Sequence, residues 1–246
     1  MPELILDKEK CLRNMEKMVL KARNKGLDFR PHCKTHQSAE IGNWFREFGV
    51  TKITVSSFRM AAYFAKAGFK DILVAFPFDP NQLKLLNSLS EKANLSILLD
   101  NPDLLPYLHS TENRVPFFID IDTGYGRTGI PTEDTQVLEE LIQQSSLNPK
   151  LEFSGFYCHA GHSYKTPDPE EKKAIHTNAI GDLALLKEQF YTHNPIALYG
   201  DTPNCSIQED FTGLDVLTPG NFVFYDLIQS SLGACEPEDI AVAMRC

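Results

Sequence analysis

The feature that most constrains this chain is a repeat: segments rich in β-branched and apolar residues alternate with segments of helical periodicity, eight times over. The strand candidates are residues 28–34, 52–57, 71–76, 95–100, 115–122, 151–159, 196–202 and 215–221. Eight βα units in about 195 residues predict a TIM (β/α)8 barrel in the α/β class, with an open doubly wound sheet as the competing architecture. Ile72-Leu-Val-Ala-Phe76 and Phe117-Phe-Ile119 are apolar on consecutive residues, as parallel strands covered on both faces must be. The helices carry their own punctuation. Asp7 caps the first, whose Leu12, Met15, Val19 and Ala22 share a face, and Gly26 ends it. Gly49 and Gly68 end the next two, while Asp79-Pro80, Asn101-Pro102 and Asp168-Pro169 place a capping side chain before a proline in the first turn. Residues 3–6 and 239–246 read as two further strands with no place in the barrel.

The longest apolar run, Ile72 to Phe78, is seven residues and contains Pro77, far short of the roughly 18 that a membrane span needs. Glu3, Asp7 and Lys8 surround a three-residue apolar stretch, unlike a secretory leader, and a cytoplasmic location is expected. Twenty-four Lys and Arg against 33 Asp and Glu leave a net charge of −9, which repels phosphate backbones and anionic lipid and argues against nucleic-acid or membrane partners. The six cysteines, at 11, 33, 158, 205, 235 and 246, form no C-x-x-C pair and suit a reducing compartment as core residues.

In a TIM barrel the chemistry sits on the loops at the carboxyl ends of the strands. Strand one there ends in Arg30-Pro-His-Cys-Lys-Thr-His36, strand five in Asp120-Ile-Asp-Thr-Gly-Tyr-Gly-Arg-Thr-Gly129, and strand six in Tyr157-Cys-His-Ala-Gly-His-Ser-Tyr164. Strands seven and eight end in Gly200-Asp-Thr-Pro-Asn204 and Thr218-Pro-Gly-Asn221. A lysine desolvated against the barrel wall favours its neutral amine, so Lys34 is read either as a nucleophile toward a carbonyl or as a surface lysine at a strand end. A metal site of His32, Cys33 and His36 needs a helix that Pro31 opposes. Gly124-x-Gly-x-x-Gly129 matches the dinucleotide pattern only in letters, because it follows the fifth strand and Pro131 interrupts the next helix. Arg127 is read either as orienting an anionic oxygen or as a surface ion pair. The loops after strands seven and eight are the usual phosphate cradle of this fold, and Gly200-Asp-Thr-Pro203 and Thr218-Pro-Gly-Asn221 fit it, although each tetrapeptide alone is only a turn signal. Together with Lys34 they point to a phosphorylated aldehyde, and pyridoxal 5'-phosphate satisfies both demands.

Those residues resemble the fold-type III pyridoxal-phosphate enzymes with an alanine racemase N-terminal-like barrel, in the group of the D-serine dehydratases and D-threonine aldolases. The resemblance runs from Pro2-Glu-Leu-Ile-Leu-Asp7 through Arg30-Pro-His-x-Lys-Thr-His36, Asp122-x-Gly-x-x-Arg-x-Gly129, Gly155-Phe-Tyr-Cys-His-Ala-Gly-His162, Gly200-Asp-Thr-Pro203 and Thr218-Pro-Gly-Asn221, nearly the whole chain. It implies that Lys34 carries the cofactor covalently and then moves the α-proton, that Arg127 faces the ring oxygen, and that Tyr157 lies beside the ring. His32 joins this cofactor set; Gly200, Thr202, Gly220 and Asn221 hold the phosphate; His159 and His162 lie near the substrate. The function implied is a lyase acting on D-β-hydroxy amino acids, D-serine giving pyruvate and ammonia. The alternatives are a D-threonine aldolase releasing glycine and an aldehyde, or a non-catalytic pyridoxal-phosphate-binding protein; a racemase needs a second base that the barrel does not offer. The resemblance further implies a homodimer and a C-terminal β-domain carrying the ligands of a divalent metal, zinc in the dehydratases. On this basis residues 1–7 are an N-terminal strand for that domain, 8–232 the barrel, and 233–246 the start of a β-domain largely missing from this chain, with no metal ligand among the residues present.

Overall fold

The structure, a computed structural model, describes residues 2–245; Met1 and Cys246, at the outer ends of the two predicted terminal strands, lie outside the described residues. Strand β1 (Glu3–Leu6) and helix α1 (Lys8–Asn24) come first. The chain continues through β2 (Asp28–Phe29), α2 (Ala39–Glu47), β3 (Lys52–Val55), α3 (Phe58–Lys66), β4 (Asp71–Pro77), α4 (Leu83–Ser90), β5 (Asn94–Leu99), β6 (Val115–Asp122), β7 (Ile130–Pro131) and α5 (Thr135–Ser145). It ends with β8 (Leu151–Cys158), α6 (Pro169–Gln189), β9 (Ile196–Tyr199), α7 (Thr202–Ile207), β10 (Val216–Leu217), α8 (Leu227–Ser231) and β11 (Val242–Arg245). Eight of these strands pair in parallel in the order β2-β10-β9-β8-β6-β5-β4-β3, with β7 set against β6. The circle closes where His32 bridges Thr54: the Cys33 N–H donates to the Thr54 carbonyl at 2.8 Å and the Thr54 N–H to the Pro31 carbonyl at 2.9 Å. The expected barrel is therefore present, and the open sheet is excluded.

The period of two along each strand divides the apolar residues between two cores. Leu73, Ala75, Leu98, Phe118, Tyr157, Leu198 and Val216 form one cluster that draws only on strands, the barrel interior. Their neighbours Ile72, Val74, Ile97, Leu99, Phe117, Ile119 and Phe156 pack outward with the helices. A slip of one residue would exchange the two sets, so the register is fixed by packing.

Punctuation behaves as predicted at most helix ends. Asp7, Asp79, Asn101 and Asp168 each accept a hydrogen bond from a backbone N–H of the following turn, and Gly26, Gly49 and Gly68 have positive φ. Asn101 starts a 3-10 turn (Pro102–Ser110) rather than an α-helix, because Pro106 lies inside it. The outermost predicted barrel strands are shorter than read, because Pro31 and Pro219 lack the N–H that would continue a ladder. β1 pairs antiparallel with β11, Glu3 opposite Arg245 and Leu6 opposite Val242, as a two-stranded ribbon outside the barrel. Five cysteines, at 11, 33, 158, 205 and 235, are buried free thiols.

One glycine fixes the barrel's shape. Gly155 (φ +144°) lies where the β6–β8 register shifts, and a Cβ there would stand 1.9 Å from the Ile196 carbonyl oxygen in β9. Gly155→Ala is expected to lower stability by about 2–6 kcal/mol, from backbone strain plus forced strand separation. Urea unfolding at unchanged m-value reads this; an unmoved midpoint would mean that β8 and β9 part freely.

Candidate active site

The C-terminal end of strand one is built by proline. Pro31 interrupts the ladder, the His32 N–H donates to the Pro219 carbonyl at 2.9 Å, and the chain turns so that the Lys34 N–H donates to His32 Nδ1 at 3.3 Å. Lys34 therefore stands on a turn just past the strand, half-buried, and its Nζ has no hydrogen bond or ion pair among the described residues. Burial, and then the charge of Arg127, lower its pKa below that of an ordinary lysine. His32 is buried and held well below the usual imidazole range by burial, then by Lys34, His159 and His36.

The His159 ring meets the Gly200 carbonyl through Nδ1; a carbonyl only accepts, so Nδ1 carries the hydrogen and Nε2 is left as an acceptor. Burial pushes its pKa down to about 3, with Lys34 adding to the effect. His162 stacks on Tyr125 with ring centroids 6.1 Å apart, and its Nδ1 is buried without a partner. Its pKa is also lowered by burial.

The loop after β6 is organised by Asp122, to which the sequence pattern assigns no role. The Asp122 carboxylate accepts from the N–H groups of Gly124 (3.0 Å), Tyr125 (2.8 Å) and Gly126 (3.0 and 3.1 Å). Gly124 and Gly126 adopt φ of +104° and +70° to curl around it. The spacing Asp-x-Gly-x-Gly was the available signal, an Asx-type turn. This loop carries Arg127, whose guanidinium carbon lies 5.3 Å from the Tyr125 ring centroid and makes no ion pair among the described residues. Beneath it Asp120 is buried, takes a hydrogen bond from the Thr128 hydroxyl at 2.7 Å, and is pushed by burial up to about 7. Tyr157 belongs to the barrel interior below the mouth, and its hydroxyl pKa is raised by burial, then by Asp120.

The loops after β9 and β10 interlock. The Asn221 N–H donates to Thr202 Oγ1 and the Thr202 N–H to the Tyr164 hydroxyl, both at 3.0 Å. A Cβ on Gly200 would stand 2.5 Å from the Thr218 carbonyl oxygen, and one on Gly220 would stand 2.9 Å from that of His32. The small residues are thus required by backbone contact between neighbouring loops. Asp201, unassigned in the sequence, caps α7. The structure brings Lys34, His32, His159, Arg127 and Tyr157 into one electrostatic neighbourhood, with Gly200, Thr202, Gly220 and Asn221 as its adjoining wall. His162 stands further out, against Tyr125. His32, Cys33 and His36 do not gather as metal ligands, and no cluster of three or more His, Cys, Asp or Glu with that geometry occurs among the described residues. A cavity of about 410 Å³ lined by Ser57, Phe58, Arg59, Phe76, Pro77 and Gln82 lies past the C-terminal ends of β3 and β4 and shares no residue with these loops.

The sequence model of the family described as "Alanine racemase, N-terminal domain" matches residues 6–203. The chain belongs to that family. Within it, a D-serine dehydratase of Dictyostelium discoideum is 34% identical over 93% of this chain and 64% of its own length. A D-threo-3-hydroxyaspartate dehydratase of Delftia sp. (strain HT23) is 26% identical over 99% of this chain and 66% of its own, and its solved structure superposes with a TM-score of 0.94. The D-threonine aldolase of Filomicrobium marinum, 20% identical over 98% of this chain and 68% of that one, has a TM-score of 0.84 and shares the fold. The chain thus spans just under two thirds of the length of each of these two dehydratases. No helix among the described residues is long and apolar enough to cross a membrane.

Proposed function

We propose that this chain is the cofactor-holding part of a pyridoxal-phosphate-dependent lyase that acts on D-β-hydroxy amino acids and dehydrates D-serine to pyruvate and ammonia. The observation that carries the reading is Lys34: a half-buried amine with no partner among the described residues and a lowered pKa, beside a glycine-lined wall. The family is pyridoxal-phosphate-dependent, and the residues fit a phosphorylated aldehyde. Lys34 offers the amine; Gly200 and Gly220 let the loops after β9 and β10 lie in backbone contact with Thr218 and His32, and the hydrogen bond from the Asn221 N–H to Thr202 Oγ1 joins those two loops, the usual phosphate-holding pair of this fold. The names of the two dehydratases support the reaction.

When bound, pyridoxal phosphate supplies an electron sink for the carbanion left by loss of the α-proton. Lys34 would hold the cofactor covalently and, as a neutral amine, would take the substrate's α-proton. Arg127, anchored by the Asp122 turn, would orient the ring oxygen, with His32 and Tyr157 completing the cofactor's surroundings. Gly200, Thr202, Gly220 and Asn221 would hold the phosphate. His159, neutral with Nε2 as acceptor, would take a hydrogen bond from the substrate hydroxyl, and His162 would line the way in. The zinc ion that the resemblance implies would draw its ligands from a C-terminal β-domain outside the barrel, in a cytosolic homodimer. In that arrangement residues 1–7 and 233–246 belong with the β-domain and 8–232 form the barrel.

A second reading is favoured by a 3-hydroxy-D-aspartate aldolase of Paracoccus denitrificans, 29% identical over 74% of this chain and 48% of its own length. The test is incubation of the complete polypeptide with cofactor, zinc and either D-serine or D-threonine. Pyruvate from D-serine is expected. Glycine and an aldehyde from D-threonine, with no pyruvate, would move the assignment to an aldolase; cofactor absorbance without turnover of either would leave a binding protein.

A further inference from the structure

Five aspartates cap helices or 3-10 turns through a backbone N–H, and four of them, Asp7, Asp79, Asp168 and Asp226, reach solvent at least in part. Asp201 is 1% exposed. A cap that served only its helix could stay at the surface, where its charge is hydrated. Asp201 is instead filled with donors from two loops. Its Oδ1 accepts from the Asn204 N–H of α7 at 2.7 Å and from the Ser163 hydroxyl at 3.0 Å. Ser163 belongs to the 3-10 turn Gly161–Lys165, which holds His162 and directly follows His159. Oδ2 accepts from the Tyr199 hydroxyl at 2.5 Å and from Asn204 Nδ2 at 3.5 Å.

Two parallel ties join the same pair of loops, from the Thr202 N–H to the Tyr164 hydroxyl and from His159 to the Gly200 carbonyl. Behind them the fully buried Tyr199 hydroxyl lies 3.4 Å from His176 Nδ1, and His176 Nε2 donates to the Asp210 carbonyl at 2.6 Å. The carboxylate is therefore the centre of a hydrogen-bonded brace between both loops at the barrel mouth and Tyr199 of β9, whose ring packs edge-on against His176 of α6 with centroids 5.3 Å apart. Buried polar networks of this kind hold geometry only while every member is satisfied.

We propose that Asp201 is a positioning residue whose buried carboxylate locks the His159–Lys165 segment to the Gly200–Asn204 loop, so that the substrate-side histidines and the phosphate wall form one rigid unit. The consequence for the cofactor rests on the functional reading above; the coupling of the two loops does not. Hydrogen exchange on the cofactor-free protein tests the coupling in wild type, D201A, S163A and D201N. D201A and S163A are expected to raise exchange at least threefold in both residues 159–165 and 202–206 while leaving β4 and β5 unchanged. D201N, which keeps an acceptor for Ser163 and Asn204, restores most of the protection. A rise confined to 202–206 would reduce Asp201 to a helix cap and overturn the proposal. If D201A does not fold, S163A and D201N carry the same comparison.

Absorbance titration with pyridoxal phosphate then reads the consequence: about tenfold weaker binding in D201A, several-fold in S163A, and near wild type in D201N. Unchanged affinity in variants whose loops have loosened overturns the cofactor half. A wild type that binds no cofactor overturns the functional reading instead, while the exchange pattern still decides the brace.

Discussion

Lys34→Ala is expected to abolish the visible absorbance of lysine-bound cofactor and to cut pyruvate formation from D-serine by more than about a thousandfold, because attachment point and proton carrier vanish together. The protein should not unfold. The Lys34 ammonium has no partner among the described residues, and burial disfavours its charge, so truncation removes a poorly solvated cation and no favourable contact. Lys34→Arg should fail equally: a guanidinium keeps the charge, cannot lose its proton and is no nucleophile. Arg127 is the second cause of the lowered lysine pKa, so Arg127→Gln should shift the pH dependence of cofactor attachment to higher pH as well as weaken binding. Absorbance spectra, thermal melts and a coupled pyruvate assay separate these effects. A Lys34→Ala protein that kept the absorbance would move the attachment to another lysine.

The barrel was legible because its signals are local. Strands such as Ile72–Phe76 are apolar on both faces, and each cap or stop needs only one or two residues to be read. Lys34 was legible for the same reason, standing just past a strand in an extended Arg30-Pro-His run. What escaped depends on distance in sequence. Ser163 and Asp201 are 38 residues apart, so nothing in Gly200-Asp-Thr-Pro marks the aspartate as more than a turn residue. The sequence assigns Gly200 and Gly220 to the phosphate, yet their immediate demand is backbone contact with Thr218 and His32, visible only once the strands are neighbours. Asp122 was hidden by its own motif, in which the glycines and Arg127 drew the interpretation and the carboxylate that orders them did not.

Stability of the cofactor-free protein is expected to fall as pH drops from about 6.5 toward 4.5, and the sign follows from the buried histidines. His32, His36, His159 and His176 all have folded-state pKa values below the ordinary 6.5, with burial as the first cause; His36 falls to about 4 and His159 to about 3. His36 accepts from the Ser38 N–H at Nδ1, so a second proton there would meet that donor, and Nε2 is buried without a partner beside Phe45 and Phe64. A depressed pKa means that the unfolded chain binds these protons first, so the stability present above pH 6.5 is lost as the pH falls toward the folded values. Four aspartates oppose this: Asp100, Asp120, Asp182 and Asp201 all have pKa values raised first by burial. Burial raises Asp120 from 3.8 to about 7 and Asp201 to about 6, so the folded protein takes up their protons earlier and gains stability over the same range. The five histidines, His162 included, outnumber the four aspartates, so the net sign is loss of stability as the pH falls, each uncompensated proton contributing about 1.4 kcal/mol per pH unit against a typical total of about 5–15 kcal/mol. Urea midpoints from pH 7.5 to 4.5 measure it. His36→Leu should remove one proton from the balance and flatten the slope by about 1.4 kcal/mol per unit, whereas Asp120→Asn, which removes an opposing term, should steepen it by about as much. A profile flat down to pH 5 would mean that the histidines reach water, and with it that the loops around Lys34 do not pack as described.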